Sequence, residues 1–247
     1  IPKSVKKIGK CAFGGSNLKT ISFQEGTKIE YIGRDALSTE SIENIPIPEK
    51  VIGCSENFLM KQPNIINFEI SPKNKFNEFV ENKFFISKVD NEIILNYVNC
   101  NVKEAIVPSN VTRIGSRSFQ SCIKLESISF MKNSNIKSIG NFAFTYSSLK
   151  KLKIPESLEF VEDNWLFLVK YLINIDLSPL NKYFKLIDNK VLIRKINNNK
   201  LFDGYELLFA PRNIEYVVIP SYITRINNYA FFNCLKLKSI SFENHQT

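Results

Sequence analysis

Residues 107–130 read VPSNVTRIGSRSFQSCIKLESISF, and residues 219–242 read IPSYITRINNYAFFNCLKLKSISF. The two stretches repeat one pattern at an offset of 112 residues, from 107 to 219. Each closes on apolar-x-x-apolar-x-apolar, as in Leu125-Glu126-Ser127-Ile128-Ser129-Phe130. The alternation in the last three positions is strand periodicity.

The closing pattern returns along the whole chain. It begins at Leu18, Ile42, Ile65, Val102, Leu125, Leu149, Leu172, Ile214 and Leu237, at intervals of 24, 23, 37, 23, 24, 23, 42 and 23 residues. One short strand every 23 or 24 residues is the signature of a solenoid, in which each turn hides its apolar side only against its neighbours. A second pattern precedes many of these strands: VKKIG at Val5, IEYIG at Ile29, VTRIG at Val111 and IKSIG at Ile136. It predicts an opposite wall, with Gly9, Gly33, Gly115 and Gly140 at a sharp corner for which their tolerance of positive φ suits them. A bulky side chain follows each corner, namely Phe13, Leu37, Phe119, Phe144, Trp165 or Phe231, and predicts a stacked core ladder. Cys122 and Cys234 lie three residues after the ring, where Ser16 and Ser147 stand in other coils, so they read as packing residues.

Two intervals are long because they hold insertions, Asn74–Tyr97 and Asn181–Phe209. Each has two β-rich runs around a polar turn, Asp90-Asn91 in one and Asn197–Asn199 to Gly204 in the other, and each predicts a β-hairpin projecting from a coil. The expected fold class is therefore a mainly β repeat solenoid, a leucine-rich-repeat array of 23–24-residue coils with one parallel strand per coil and two hairpin insertions. It forms one domain over 1–247, with superrepeats of about 1–107 and 108–219 and the start of a third at 220–247. Neither end carries a polar capping unit, which predicts a piece of a longer array.

The combination IP…V..IG..AF…L..I.F, as in IPKSVKKIGKCAFGGSNLKTISF (Ile1–Phe23), resembles the BspA-like leucine-rich-repeat family, and the resemblance covers essentially the whole chain. It implies surface proteins of bacteria and protozoa that bind host, matrix or other-cell proteins, and it supplies no catalytic residues. The coils at Val51 and Leu158 depart from it by losing the IG signature.

Composition narrows the function further. Of 33 basic residues only six are arginine, the residue best suited to bidentate base readout, so the net charge of +9 does not point to nucleic acid. No apolar run is long enough to span a bilayer. A lone histidine, His245, leaves no room for histidine metal clusters, and there is no GxxxxGK[ST] or GxGxxG. The expectation is no enzyme, no cofactor and no metal. The Glu162-Asp163 pair reads as a solvated face. Five cysteines without a CxxC pair predict free, buried thiols and no disulfide.

The remaining candidate is a binding face. Lys150, Lys151 and Lys153 fall on non-core positions of LKKLKI, with Asn174 and Asp176 in the next coil. Mixed charge of this kind suits protein recognition better than a phosphate track. Tyr216 and Val218, with Ile106, point outward from the insertion coils and are expected to be covered by the hairpins or else to form a hot spot. Asn110-Val111-Thr112 is the one glycosylation sequon. These residues predict a protein-binding or adhesion module of a surface or secreted protein, recognising its partner through the extended strand face. The alternative is an intracellular scaffold of the same coils.

Overall fold

A computed structural model describes residues 1–39, 41–54, 58–59, 65, 67–196 and 204–243. In chain order its strands are β1 (Lys7–Ile8), β2 (Tyr31–Ile32), β3 (Asn44–Ile47), β4 (Gly53–Cys54), β5 (Asn67–Ile70), β6 (Asn77–Val80) and β7 (Phe84–Val89). Then come β8 (Glu92–Val98), β9 (Glu104–Val107), β10 (Arg113–Ile114), β11 (Ser127–Phe130), β12 (Ser138–Ile139), β13 (Lys151–Ile154) and β14 (Phe160–Val161). The last are β15 (Asn174–Leu177), β16 (Phe184–Ile187), β17 (Val191–Lys195), β18 (Tyr205–Phe209), β19 (Tyr216–Ile219), β20 (Ile223–Ile226) and β21 (Ser239–Phe242). Each sequence period is one coil, and the described residues contain no helix long and apolar enough to cross a membrane.

Three stacked surfaces tie the coils together. The closing patterns form the strand face, in parallel ladders β3-β5, β9-β11-β13-β15 and β19-β21. The IG patterns form the opposite wall, β1-β2-β4 and β10-β12-β14. At the corner, Phe119 N–H donates to Ala143 O (2.9 Å) and Phe144 N–H to Trp165 O (3.0 Å). The expected ladder stands there, with Phe119 and Phe144 fully buried and their ring centroids 5.2 Å apart. Phe58 fills the ladder position of the coil whose IG signature is lost.

The glycines serve a different purpose from the one expected. None of Gly9, Gly33, Gly115 and Gly140 has a positive φ. A Cβ at Gly33 would lie 2.8 Å from the backbone of Gly9, and one at Gly140 would lie 2.6 Å from Ser116 N. Close approach of successive coils excludes a side chain at Gly33, Gly115 and Gly140, whereas a Cβ at Gly9 would meet open space. The left-handed residues come two positions later and are mostly not glycine: Cys11, Asp35, Arg117, Phe142 and Asn164.

The insertions are three-stranded meanders, β6-β7-β8 and β16-β17-β18, and they do not project. The last strand of each pairs in parallel with the opposite wall, β8 with β10 and β18 with β20. Successive residues of β7 face different core clusters, Phe84 and Ile86 toward the central one and Phe85 toward the N-terminal one. In the same way Leu192 faces the central cluster and Val191 and Ile193 the C-terminal one. Each meander therefore crosses the solenoid as a partition, and a strand covered on both faces reads as an unbroken apolar run. The turn of the first lies at Asp90-Asn91 as expected. Residues 197–203 of the second lie outside the described residues.

One asparagine opens each meander. Asn74 Nδ2 donates to Pro48 O (2.7 Å) and Val51 O (3.1 Å) of the coil before. Asn181 repeats this with Pro155 O (2.7 Å) and Leu158 O (2.9 Å), while its Oδ1 accepts from Tyr183 and Phe184 N–H, both at 2.9 Å. Asn181→Ala is expected to cost about 2 kcal/mol, because it leaves buried backbone groups unpaired. Urea denaturation measures it, and Asn181→Asp should not rescue, since it turns the two donors into acceptors facing carbonyls.

The expectation of no disulfide is overturned. Cys100 and Cys122 are bonded, with Cα atoms 4.5 Å apart and a sequence separation of 22. That separation is close to one coil, so the two residues are neighbours across the stack. Cys54 and Cys234 are free and buried, and Cys122 has no bond to Cys234. At the same 112-residue offset the disulfide is replaced by a polar contact, Arg212 Nη1 to Cys234 Sγ at 3.6 Å. Arg212 is buried, and burial lowers its pKa.

Candidate functional site

The strand face is built from the alternation in each closing pattern. Ile128, Leu152 and Ile175 point inward and are buried, so the residues between them point out. Parallel register then sets Lys151 between Ser127 and Asn174, and Lys153 beside Asp176. Neighbouring strands lie about 4.8 Å apart, so these side chains are held close by backbone bonds rather than by their own contacts. Together with Ser129 they line a shallow depression of about 470 Å³. Lys151, Lys153, Asn174 and Asp176 are all exposed. The arrangement offers ammonium, carboxylate, amide and hydroxyl groups over a buried apolar floor, which suits polar recognition of another protein.

Three of the expected site residues sit elsewhere. Lys150 belongs to the row before, where its ammonium is 3.1 Å from Glu126 of the preceding coil. Lys238 and Glu215 repeat that brace at 2.8 Å. Tyr216 and Val218 lie on β19, which pairs with β21 in a separate sheet, so the hydrogen-bonded face is not continuous with the central one. The meanders do not cover them: Tyr216 is 62% exposed, Val218 45% and Ile106 52%. The meander strands join the opposite wall, which keeps them off this face. The Lys238 ammonium lies 5.5 Å from the Tyr216 ring centroid.

The Glu162-Asp163 pair is not a solvated face throughout. Glu162 Oε1 is 2.7 Å from Arg113 Nη2, and its Oε2 accepts from Asn141 N–H at 2.8 Å. It clamps three coils on the opposite wall, while Asp163 stays exposed. Among the described residues no group of three or more His, Cys, Asp or Glu can hold a metal ion. His245 lies outside the described residues. Asn110 is exposed in a turn, and the Thr112 hydroxyl of its sequon accepts from Ile93 N–H at 2.8 Å.

A parallel-stranded array of short coils, with a strand face on one side and a phenylalanine ladder at the corner, defines a leucine-rich-repeat solenoid. The family model of the BspA type leucine-rich repeat region matches in six copies over residues 1–96, 92–198 and 205–247, and the chain belongs to that family. Solved structures agree on the fold. A leucine-rich repeat protein from Eubacterium ventriosum is similar at a TM-score of 0.68 and 20% identity, over 97% of this chain and 64% of that one. The pneumococcal vaccine antigen PcpA is similar at 0.52 and 23%, over 99% and 44%. A leucine-rich cell surface protein from Faecalibacterium prausnitzii is similar at 0.51 and 19%, over 98% and 60%. The chain thus spans about half to two thirds of these structures. No curated protein matches the sequence.

Proposed function

We propose that the chain is a non-enzymatic protein-binding module of a cell-surface or secreted protein, and that its partner docks on the strand face. The observation that carries the reading is the mixed-charge depression on β11, β13 and β15, where Lys151, Lys153, Asn174 and Asp176 stand side by side and exposed. Surface and antigen descriptions of the fold neighbours support the compartment. So does the Cys100–Cys122 disulfide, which persists in oxidising surroundings and weighs against the cytoplasmic scaffold. Tyr216 and Val218 are a second, separate candidate patch.

Contacts of this kind are individually weak, and affinity then rests on area and on repetition. Lys151→Glu is expected to weaken binding to a panel of immobilised extracellular-matrix proteins by about tenfold, and Tyr216→Ala to weaken it less, with circular dichroism unchanged in both. Normal binding by both variants would move the site off the strand face.

A further inference from the structure

Besides its breaks at the two meanders, the strand-face ladder fails between 18–23 and β3, and there for a local chemical reason. Where the ladder runs, a backbone N–H just past one strand bonds the last residue of the strand before. Ser71 N–H donates to Ile47 O (2.9 Å), Met131 to Val107 O (3.0 Å), Ser178 to Ile154 O (2.9 Å) and Glu243 to Ile219 O (3.0 Å). Of the three donors of this parity that would face the first coil, two belong to Pro46 on β3 and Pro48 just past it, which have no N–H, and the third, Asn44 N–H, makes no backbone bond to 18–23. A single proline only shortens a ladder. Pro155 stands where Pro48 does, and β11-β13 keeps two register pairs where β9-β11 and β13-β15 keep four. With two prolines the junction has no backbone bond at all among the described residues, and 18–23 forms no strand although its sequence matches β11 and β21.

Between 20–23 and β3 a cleft of about 450 Å³ opens on the strand face. Ile21, Phe23 and Pro46 line it, with the exposed carboxylates of Glu25, Glu49 and Glu69. No lysine or arginine is among its described lining residues, although the chain carries 33 of them and a net charge of +9. A free strand edge that its own neighbour cannot satisfy accepts an added strand, as in recognition by β-augmentation.

We propose that this cleft binds an extended segment of a partner protein that is rich in lysine or arginine. The segment adds as a strand along 20–23. Its backbone bonds the edge that the prolines leave open, its aliphatic stems lie on Ile21, Phe23 and Pro46, and its cations meet the three glutamates. The cleft shares no lining residue with the central depression, so it is a second site with its own selectivity, and one site can fail without the other.

The test is fluorescence anisotropy with a fluorescein-labelled peptide of four Lys-Thr repeats at near-physiological salt. Saturable binding is expected. The triple variant Glu25→Gln, Glu49→Gln, Glu69→Gln should weaken it by about tenfold or more, because three charge contacts are lost. A control triple, Glu30→Gln, Glu92→Gln, Glu156→Gln, removes the same charge elsewhere and should change it by less than about twofold. The same peptide with alternate amides N-methylated keeps every charge but loses its strand-forming donors, and should bind about tenfold more weakly. Absence of binding to the wild-type chain, equal weakening by both triples, or equal binding of the N-methylated peptide would each overturn the proposal.

Discussion

Phe119→Ala should cost about 3–5 kcal/mol, the largest loss expected from any single truncation in the ladder. The side chain is fully buried, and its ring centroid lies 5.2 Å from that of Phe144 in the next coil. Its own N–H bonds Ala143 O, so the residue joins two coils through both backbone and ring. A cavity there is walled by stacked backbone that cannot collapse inward, which puts the cost at the upper end of the range for such changes. The comparison variant is Phe231→Ala at the equivalent position of the last described coil. That ring is only half-buried and should cost about half as much. Urea denaturation gives the two values, and hydrogen exchange should localise the first to the amides of residues 114–144. Equal costs at both positions would contradict the ladder as the source of the effect.

Opening the disulfide should cost about 3 kcal/mol. Cys100 and Cys122 are 22 residues apart, and closing a loop of that length removes freedom from the unfolded chain by roughly this amount. The bond bridges the coil of β9 to the coil of β11, a junction that the strand-face ladder also holds with four register pairs. Cys100→Ser with Cys122→Ser, or reduction of the native chain, should lower Tm by roughly 6–12 °C at this chain length. Alkylation under native conditions should leave Cys100 and Cys122 unlabelled until reductant is added. A double variant as stable as the oxidised chain would show that the bond contributes nothing to the fold.

Arginine use shows how far residue type alone carries. The chain has only six arginines among 33 basic residues, and the structure places three of them where a planar fork matters. Arg113 reaches Glu162 at 2.7 Å, Arg194 pairs with the buried Glu206, and Arg212 donates to Val169 O at 3.0 Å. Lysines fill the solvated rows, where a point charge on a flexible stem suffices. Scarcity of arginine argued against base readout, but nothing in the spacing announced these three braces. Their partners lie 49, 12 and 43 residues away.

Much of this molecule was settled by its sequence, because stacking makes residues one period apart into neighbours. The 23- or 24-residue repeat therefore named the coils, the inward rows, the ladder of Phe119, Phe144 and Trp165, and the rows that hold Lys151, Lys153, Asn174 and Asp176. It also located both insertions, which Asn74 and Asn181 open in the structure. What the period does not cover, only tertiary structure decided. The 22-residue spacing of Cys100 and Cys122 is one coil and was countable along the chain, but that their thiols meet across the stack depends on how the end of the first meander sets Cys100 against the next coil. Whether each insertion projects or crosses the core depends on which wall its last strand joins, a choice made by long-range pairing with β10 and β20. Lys150 and Lys151 are adjacent in sequence, yet one meets Glu126 across the stack and the other stays on the open face, because strand pleating turns alternate side chains to different surroundings. The cleft at Pro46 and Pro48 has the same origin: each proline removes a donor, but which neighbour loses it follows only from the direction in which β3 faces its coils.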